Sequence, residues 1–369
     1  MPSSLISPQA EIPVHALAEA DTCLLEAARR FPTRLWNDSA AASELTRSIG
    51  FGAVGATCNP VIAVAVVNGD LPRWRARIAE LAAERPHASE SELAWQIVEE
   101  LSIESAKLLM PAFVESGGRD GRLSIQTDPR LHRDPEALVR QAVRFSQLAD
   151  NIIVKIPATA AGIRAIEEAT ALGVSINATV SFSVAQAVAV AEAIERGLDR
   201  RGEGPELGSV VTIMGGRLDD WLKHCVQRDR ILIDPGALEW AGVAALKHAY
   251  QLFVERGYRS RILSAAFRNH FQWSELQGGD LVVSPPFDWQ LRIVENELPV
   301  ESRIDVPVDP EIVETLRSRL PDFRRAHDAD GMSIDEFATF GPTVRTLRQF
   351  LEADEALEGI VRDVLLPAN

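Results

Sequence analysis

The stretch Asn151-Ile-Ile-Val-Lys-Ile-Pro-Ala-Thr159 decides how this chain is read. Ile152, Ile153 and Val154 run without polar alternation, the pattern of a short strand covered on both faces. Lys155 continues the same apolar run. A charged lysine there is costly unless it is paired. Burial instead lowers its pKa and frees the amine, which is how a Schiff-base nucleophile is made. The duller alternative is a lysine at a strand end whose stem carries its ammonium to water.

Lysine usage sharpens the point. The chain has only four lysines, Lys107, Lys155, Lys223 and Lys247, among 38 basic residues. Arginine serves almost everywhere that a cation suffices. Lys107, Lys223 and Lys247 fall in helical, partly polar surroundings, and Lys155 does not. An arginine at that position could not become neutral, whereas a lysine can.

Outward from Lys155, buried strands and helices alternate. The strands are expected at Arg34 to Asp38, Ala53 to Pro60, Arg122 to Thr127, the Lys155 stretch, Val174 to Val180, Ser209 to Ile213, Arg261 to Ala266 and Asp280 to Ser284. Asn59-Pro60 reads as a turn. Helices are predicted over Trp74 to Glu84, Ser91 to Glu115, Gly162 to Leu172, Ser183 to Arg196 and Trp240 to Arg256. One more starts at Asp134-Pro135 and another at Asp219. This order predicts a parallel sheet, and eight strands close a (β/α)8 TIM barrel with additional helices. Residues 1–25 read as an N-terminal extension. Residues 26–369 read as a single barrel domain that includes C-terminal helices, the last near Pro342 to Leu366.

Composition narrows the partners. The net charge is −15, which argues against a general binder of phosphate backbones. Aromatic residues make up only 6%, so a stacking platform for nucleic acid is not expected. Cys23, Cys58 and Cys225 are odd in number and far apart, which suits neither a disulfide framework nor a zinc site. The seven histidines form no HxxxH or HxH pair, so no metal site is expected. Met1 to Pro13 lacks the features of a leader, and no apolar run is long enough to span a membrane. A cytoplasmic location is the expectation.

In such barrels the chemistry lies at the C-terminal ends of the strands. The polar residues there are Asp38, Asn59, Gln126, Lys155, Asn177, Thr179, Thr212, Arg217, Arg268 and Ser284. One amine, one carboxylate, neutral hydrogen-bonding groups and two arginines at one mouth suit Schiff-base carbonyl chemistry with an anion clamp. Singly, each has a plainer role. Asp38 could cap a helix, Asn59 could only turn the chain, Thr179 could be structural, and the arginines could pair with some of the 53 acids.

These residues carry a family resemblance. The chain resembles the transaldolases, the circularly permuted branch of the class I aldolase barrels. The matching stretches are Thr57-Cys-Asn-Pro60, Gly121 to Asp128 with Arg130-Leu131, Val154 to Thr159 with Gly162, and Asn177-Ala-Thr179 with Phe182-Ser183. They continue with Gly216-Arg217, Asp220-Trp221, Ala265 to Asn269 and Ser284-Pro285, in the family's order. The resemblance implies that Lys155 forms the Schiff base and that Asp38 is the acid/base of carbon–carbon cleavage. It implies that Asn59 and Asn177 hold substrate hydroxyls or the intermediate, and that Thr179 positions a catalytic water. It implies that Arg217 and Arg268 clamp the phosphate of a sugar phosphate. No cofactor is implied, because the iminium is itself the electron sink. A homodimer and a place in the pentose phosphate pathway are further expectations.

Four positions depart from the family pattern. Gln126 stands where transaldolases carry Glu, as it does in the fructose-6-phosphate aldolase branch. That branch also has a Tyr where Met214 stands here. Two serines of the family's substrate site are Thr212 and Ala266 in this chain. The activity expected is therefore transfer of a dihydroxyacetone unit from a ketose phosphate to an aldehyde. The alternatives are an aldolase that releases this unit to water, and a silent sugar-phosphate-binding protein.

Overall fold

The computed structural model describes residues 21–367. Most of the expected N-terminal extension, including Met1 to Pro13, lies outside them. Eight short strands occupy the expected places: β1 (Arg34–Asn37), β2 (Ala53–Thr57), β3 (Arg122–Gln126), β4 (Ile152–Pro157), β5 (Ile176–Thr179), β6 (Val210–Ile213), β7 (Arg261–Ala265) and β8 (Val282–Ser284). Each pairs in parallel with the next, and β8 closes on β1. The expected (β/α)8 TIM barrel is the fold. Its register sets Lys155 level with Gln126 on β3 and Asn177 on β5.

Strand alternation stacks the interior in layers. The middle layer is apolar, with Trp36, Ile153, Val210, Leu263, Ala265 and Val282 in one cluster. Gly55 on β2 makes room for it, since a Cβ there would lie 2.4 Å from the Trp36 ring. Beneath lies a charged plug. Asp120 bonds Arg34 at 3.0 Å and Arg261 at 3.3 Å, and Arg122 donates to the Gly118 carbonyl at 2.7 Å. Above the apolar layer the interior turns polar, and there the sequence-predicted site residues gather.

A larger core fills the space between strands and outer helices, running from Leu24 to Val361. Several helices depart from expectation. The helix Pro60–Gly69 starts where only a turn was expected. Asn59 caps it and Pro60 takes its first position, a pair that serves a turn or a helix start equally well. The helix expected from Asp219 begins earlier, at Gly215, and the one expected to end at Arg196 runs on to Arg201. Helices Cys23–Arg30 and Phe287–Glu295 were not foreseen, and the first of them spans residue 25. The last helix, Gly341–Leu365, packs against Pro60–Gly69, Leu71–Glu84 and Glu90–Glu115, and against the helix Gly215–Asp229. Among the described residues, no helix is long and apolar enough to cross a membrane.

Candidate active site

Lys155 is the fourth residue of β4 and only 5% exposed. Its Nζ has no hydrogen-bond or ion-pair partner among the described residues, although its carbonyl accepts from Thr127. Burial holds the amine below the usual lysine range. The nearby positive charge of Arg217 pushes the same way, while Asp38 and Cys58 oppose it. The other lysines have different duties. Lys107 is exposed, and Lys223 pairs with Glu239 at 2.6 Å. Lys247 is more deeply buried than its sequence surroundings indicated. Glu275 and the carbonyls of Arg303 and Val306 hold its ammonium at 2.6–2.8 Å. Burial therefore does not single out Lys155; burial without a partner does.

Asp38 follows β1 and is half-buried. Its carboxylate accepts from Thr57 Oγ1, and its N–H donates to the Pro285 carbonyl at 3.2 Å. It caps no helix: the next one, Ala42–Gly50, starts after Ala41 without a side-chain cap. The carboxylate thus stays at the mouth, close enough for its charge to act on Lys155.

Gln126 and Thr179 flank Lys155 from β3 and β5. Gln126 Oε1 and Thr179 Oγ1 are both buried without a hydrogen-bond partner among the described residues. Buried polar atoms ordinarily have one, so both are open to a ligand or a water. Asn177 is more committed. Its Nδ2 donates to Ser124 Oγ at 3.0 Å, and its Oδ1 accepts from Thr212 Oγ1 at 2.7 Å. Thr212 therefore serves as a brace for Asn177. Asn59 uses its Oδ1 as a helix cap, accepting from Ile62 N at 3.0 Å, and its amide nitrogen has no partner among the described residues.

The two arginines share one pocket of about 500 Å³. Arg217 stands in the first turn of Gly215–Asp229 and donates to Gln349 Oε1 at 2.6 Å and Thr346 Oγ1 at 3.2 Å. Burial, then the like charge of Arg268, lowers its pKa. Arg268 is paired with Asp220 at 2.8 Å. A scaffold of buried groups aims its loop. Gln272 accepts from Arg268 N and donates to Asp219 at 2.8 Å, and Asp219 accepts from Gly242 N at 2.7 Å. Gly216 is required there, since a Cβ would fall 1.8 Å from the Ala266 carbonyl. Ala266 itself has φ +63 and Val180, just past Thr179, has φ +51. Such backbone strain in non-glycine residues gathers at functional sites.

The last helix adds residues that the strand-end survey missed. Arg345, Thr346, Arg348 and Gln349 line the arginine pocket, and Asp354 shares a smaller cavity with Asn59 and Gln126. Arg345, Arg348 and Gln349 form an exposed polar stripe at helical spacing, which ordinarily marks a solvated face, and Thr346 and Asp354 interrupt the buried apolar stripe beside it.

A parallel barrel with an unpaired buried lysine at its mouth, a carboxylate beside it and cationic side chains around it defines a class of candidate carbonyl-condensing barrels. Comparison with known proteins makes the class specific. Residues 35–325 match the family described as Transaldolase/Fructose-6-phosphate aldolase, and the chain belongs to that family. It is 36% identical over 163 residues to "Transaldolase 1" of Streptomyces avermitilis, covering 43% of this chain and 42% of that protein. To "Transaldolase 2" of the same organism it is 33% identical over 208 residues, covering 54% and 55%. The matched part thus spans about half the length of these curated relatives.

Proposed function

We propose that the protein is a transaldolase-like transferase that moves a dihydroxyacetone unit from a ketose phosphate to an aldehyde through a Schiff base on Lys155. The observation that carries this is the buried, unpartnered amine of Lys155, level with Gln126 and Asn177 and within the field of Asp38. The neutral amine attacks the ketose carbonyl and expels water to form an iminium. The Asp38 carboxylate takes the proton of the hydroxyl on the carbon that leaves, and the carbon–carbon bond breaks as the iminium accepts its electrons. The three-carbon enamine stays on Lys155, where Asn177, braced by Ser124 and Thr212, holds it. An acceptor aldehyde adds by the reverse steps, and water hydrolyses the iminium. Thr179 and Gln126 orient that water through their unpartnered oxygens. Asn59 offers its free amide nitrogen to a substrate hydroxyl, and Arg217 and Arg268 take the phosphate.

Gln126 also supports a second reading, an aldolase that releases the three-carbon unit to water. A cytoplasmic homodimer, with residues 26–369 as one folding unit, completes the proposal; the core shared by the barrel and the last helix supports the single unit.

Borohydride reduction in the presence of fructose 6-phosphate tests it. The expected product is a reduced three-carbon adduct on Lys155, lost in Lys155→Arg. Because burial depresses the amine's pKa, adduct formation should persist below the pH at which an ordinary lysine is protonated, and fail only as pH falls through the lowered value. An adduct on Lys107, Lys223 or Lys247 refutes the assignment. Omitting the aldehyde separates the two activities, since only the aldolase then turns over.

A further inference from the structure

We propose that Asp354, on the helix Gly341–Leu365, holds the proton that Schiff-base formation consumes and hydrolysis returns, acting through one water lodged beside Gln126. This rests on Lys155 being the Schiff-base lysine. The chemistry demands such a group. When the carbinolamine collapses, its C–O bond breaks and the departing hydroxyl oxygen must gain a proton. Gln126, level with Lys155 on the next strand, has none to give. Asp38 is engaged with Thr57 and serves the carbon–carbon step.

The geometry supplies the missing acid from another element. Cys58, Asn59, Trp95, Gln126, Asp354 and Leu357 enclose a cavity with about 10 Å³ open to the centre of a water molecule, room for one. Two of these residues carry buried polar atoms without a partner among the described residues: the donor Trp95 Nε1 and the acceptor Gln126 Oε1. The Asp354 carboxyl is a third polar group on the same cavity, itself 4% exposed. Three hydrogen bonds are the usual complement of a buried water.

The surroundings of Asp354 suit the role. Arg130 approaches it at 3.2 Å but is held more closely by Asp128, at 2.7 Å, and by Glu358, at 2.8 Å. Burial and the like charge of Asp128 push the Asp354 carboxyl up to about 7, with Glu358 and Glu355 of its own helix adding to this and Arg130 opposing it. The Cys58 thiol on the same cavity, pushed up to about 12 by its burial, stays neutral. In the forward step protonated Asp354 gives its proton to the water. That water passes one of its own to the carbinolamine hydroxyl, a water molecule leaves, the iminium forms, and Asp354 remains as carboxylate. Hydrolysis reverses each transfer.

Single-turnover trapping with fructose 6-phosphate and borohydride across pH 5.5–8.5 tests this. Asp354→Asn should form the Lys155 adduct about 10²-fold more slowly, the lower end of the worth of a positioned acid/base. It should also lose the inflection near neutral pH. Adding Gln126→Glu should restore most of the rate by placing a carboxyl on β3. An unchanged rate and profile overturns the proposal. So does a slower variant whose pH profile is intact or that Gln126→Glu does not rescue, because a mere loss of helix docking gives that result. Asp354→Glu is the control should the amide variant fail to fold: its inflection should move, and an unmoved one counts against the role. If the parent forms no adduct on Lys155, the transaldolase reading fails and this proposal fails with it.

Discussion

Arg217 and Arg268 stand at one mouth with different electrostatic balances. Arg268 is neutralised by Asp220, whereas Arg217 is bonded, among the described residues, only to the neutral side chains of Gln349 and Thr346 and lies 5.4 Å over the Phe350 ring. A half-buried cation without a carboxylate partner is the better half of an oxyanion clamp. A charged hydrogen bond contributes about 1.5–3 kcal/mol. Arg217→Ala should therefore raise the KM for phosphorylated donors by about 10–100-fold, while unphosphorylated donors change little. Arg268→Ala should raise it less. Steady-state kinetics on matched donor pairs decide the matter, and equal effects on both donor types would mean that Arg217 is structural. The residue scale is also where the sequence was most legible. Lys155, Asp38, Gln126 and Asn177 could be placed because strand ends are marked by local apolar runs. The bracing of Asn177 by Thr212 and the missing partner of Gln126 could not, because both depend on register between strands far apart in the chain.

At the scale of elements, the helix Gly341–Leu365 is what completes the mouth. Its buried face carries Thr346, Leu347, Phe350, Asp354, Leu357 and Val361, so Thr346 and Asp354 reach the site from within an apolar stripe, and Gln349 joins them from the exposed side. Phe350 is fully buried beneath Arg217. Phe350→Ala should cost about 3–5 kcal/mol of stability, the usual range for emptying such a position. It should also raise the KM for phosphorylated donors by loosening Arg217. Thermal unfolding and kinetics on one preparation check both effects. A fall in Tm with an unchanged KM would show that Arg217 holds its place without the ring. This helix was predicted as a helix but not as part of the site. Its hydrophobic period reports that one face is buried, not which element covers it or what its polar face meets.

For the whole molecule, the two ends of the barrel divide the work. The mouth holds the reactive groups, and the opposite end is sealed by Asp120 among Arg34, Arg122 and Arg261. Burial, then the neighbouring Arg261, pushes the Arg122 guanidinium down to about 10. Asp120→Asn leaves three arginines around a neutral amide. Removing one partner of a buried ion pair costs about 3–5 kcal/mol. The variant should lose Tm while forming the Lys155 adduct at the parent rate, measured well below its unfolding temperature. An adduct rate that fell in proportion to stability would show that the two ends are coupled.

The barrel was legible from sequence because each strand is a local apolar run and each helix has its own period and cap, and these signals need no knowledge of the partner element. Lys155 stood out for the same reason, an ionisable group inside one such run. Only the tertiary structure decided that Lys247 is buried too but satisfied, that Arg217 meets Thr346 and Gln349, and that Asp354 shares a cavity with Gln126. Each of those joins segments distant in sequence. Such contacts are set when the sheet closes and the last helix docks, and no local pattern encodes them.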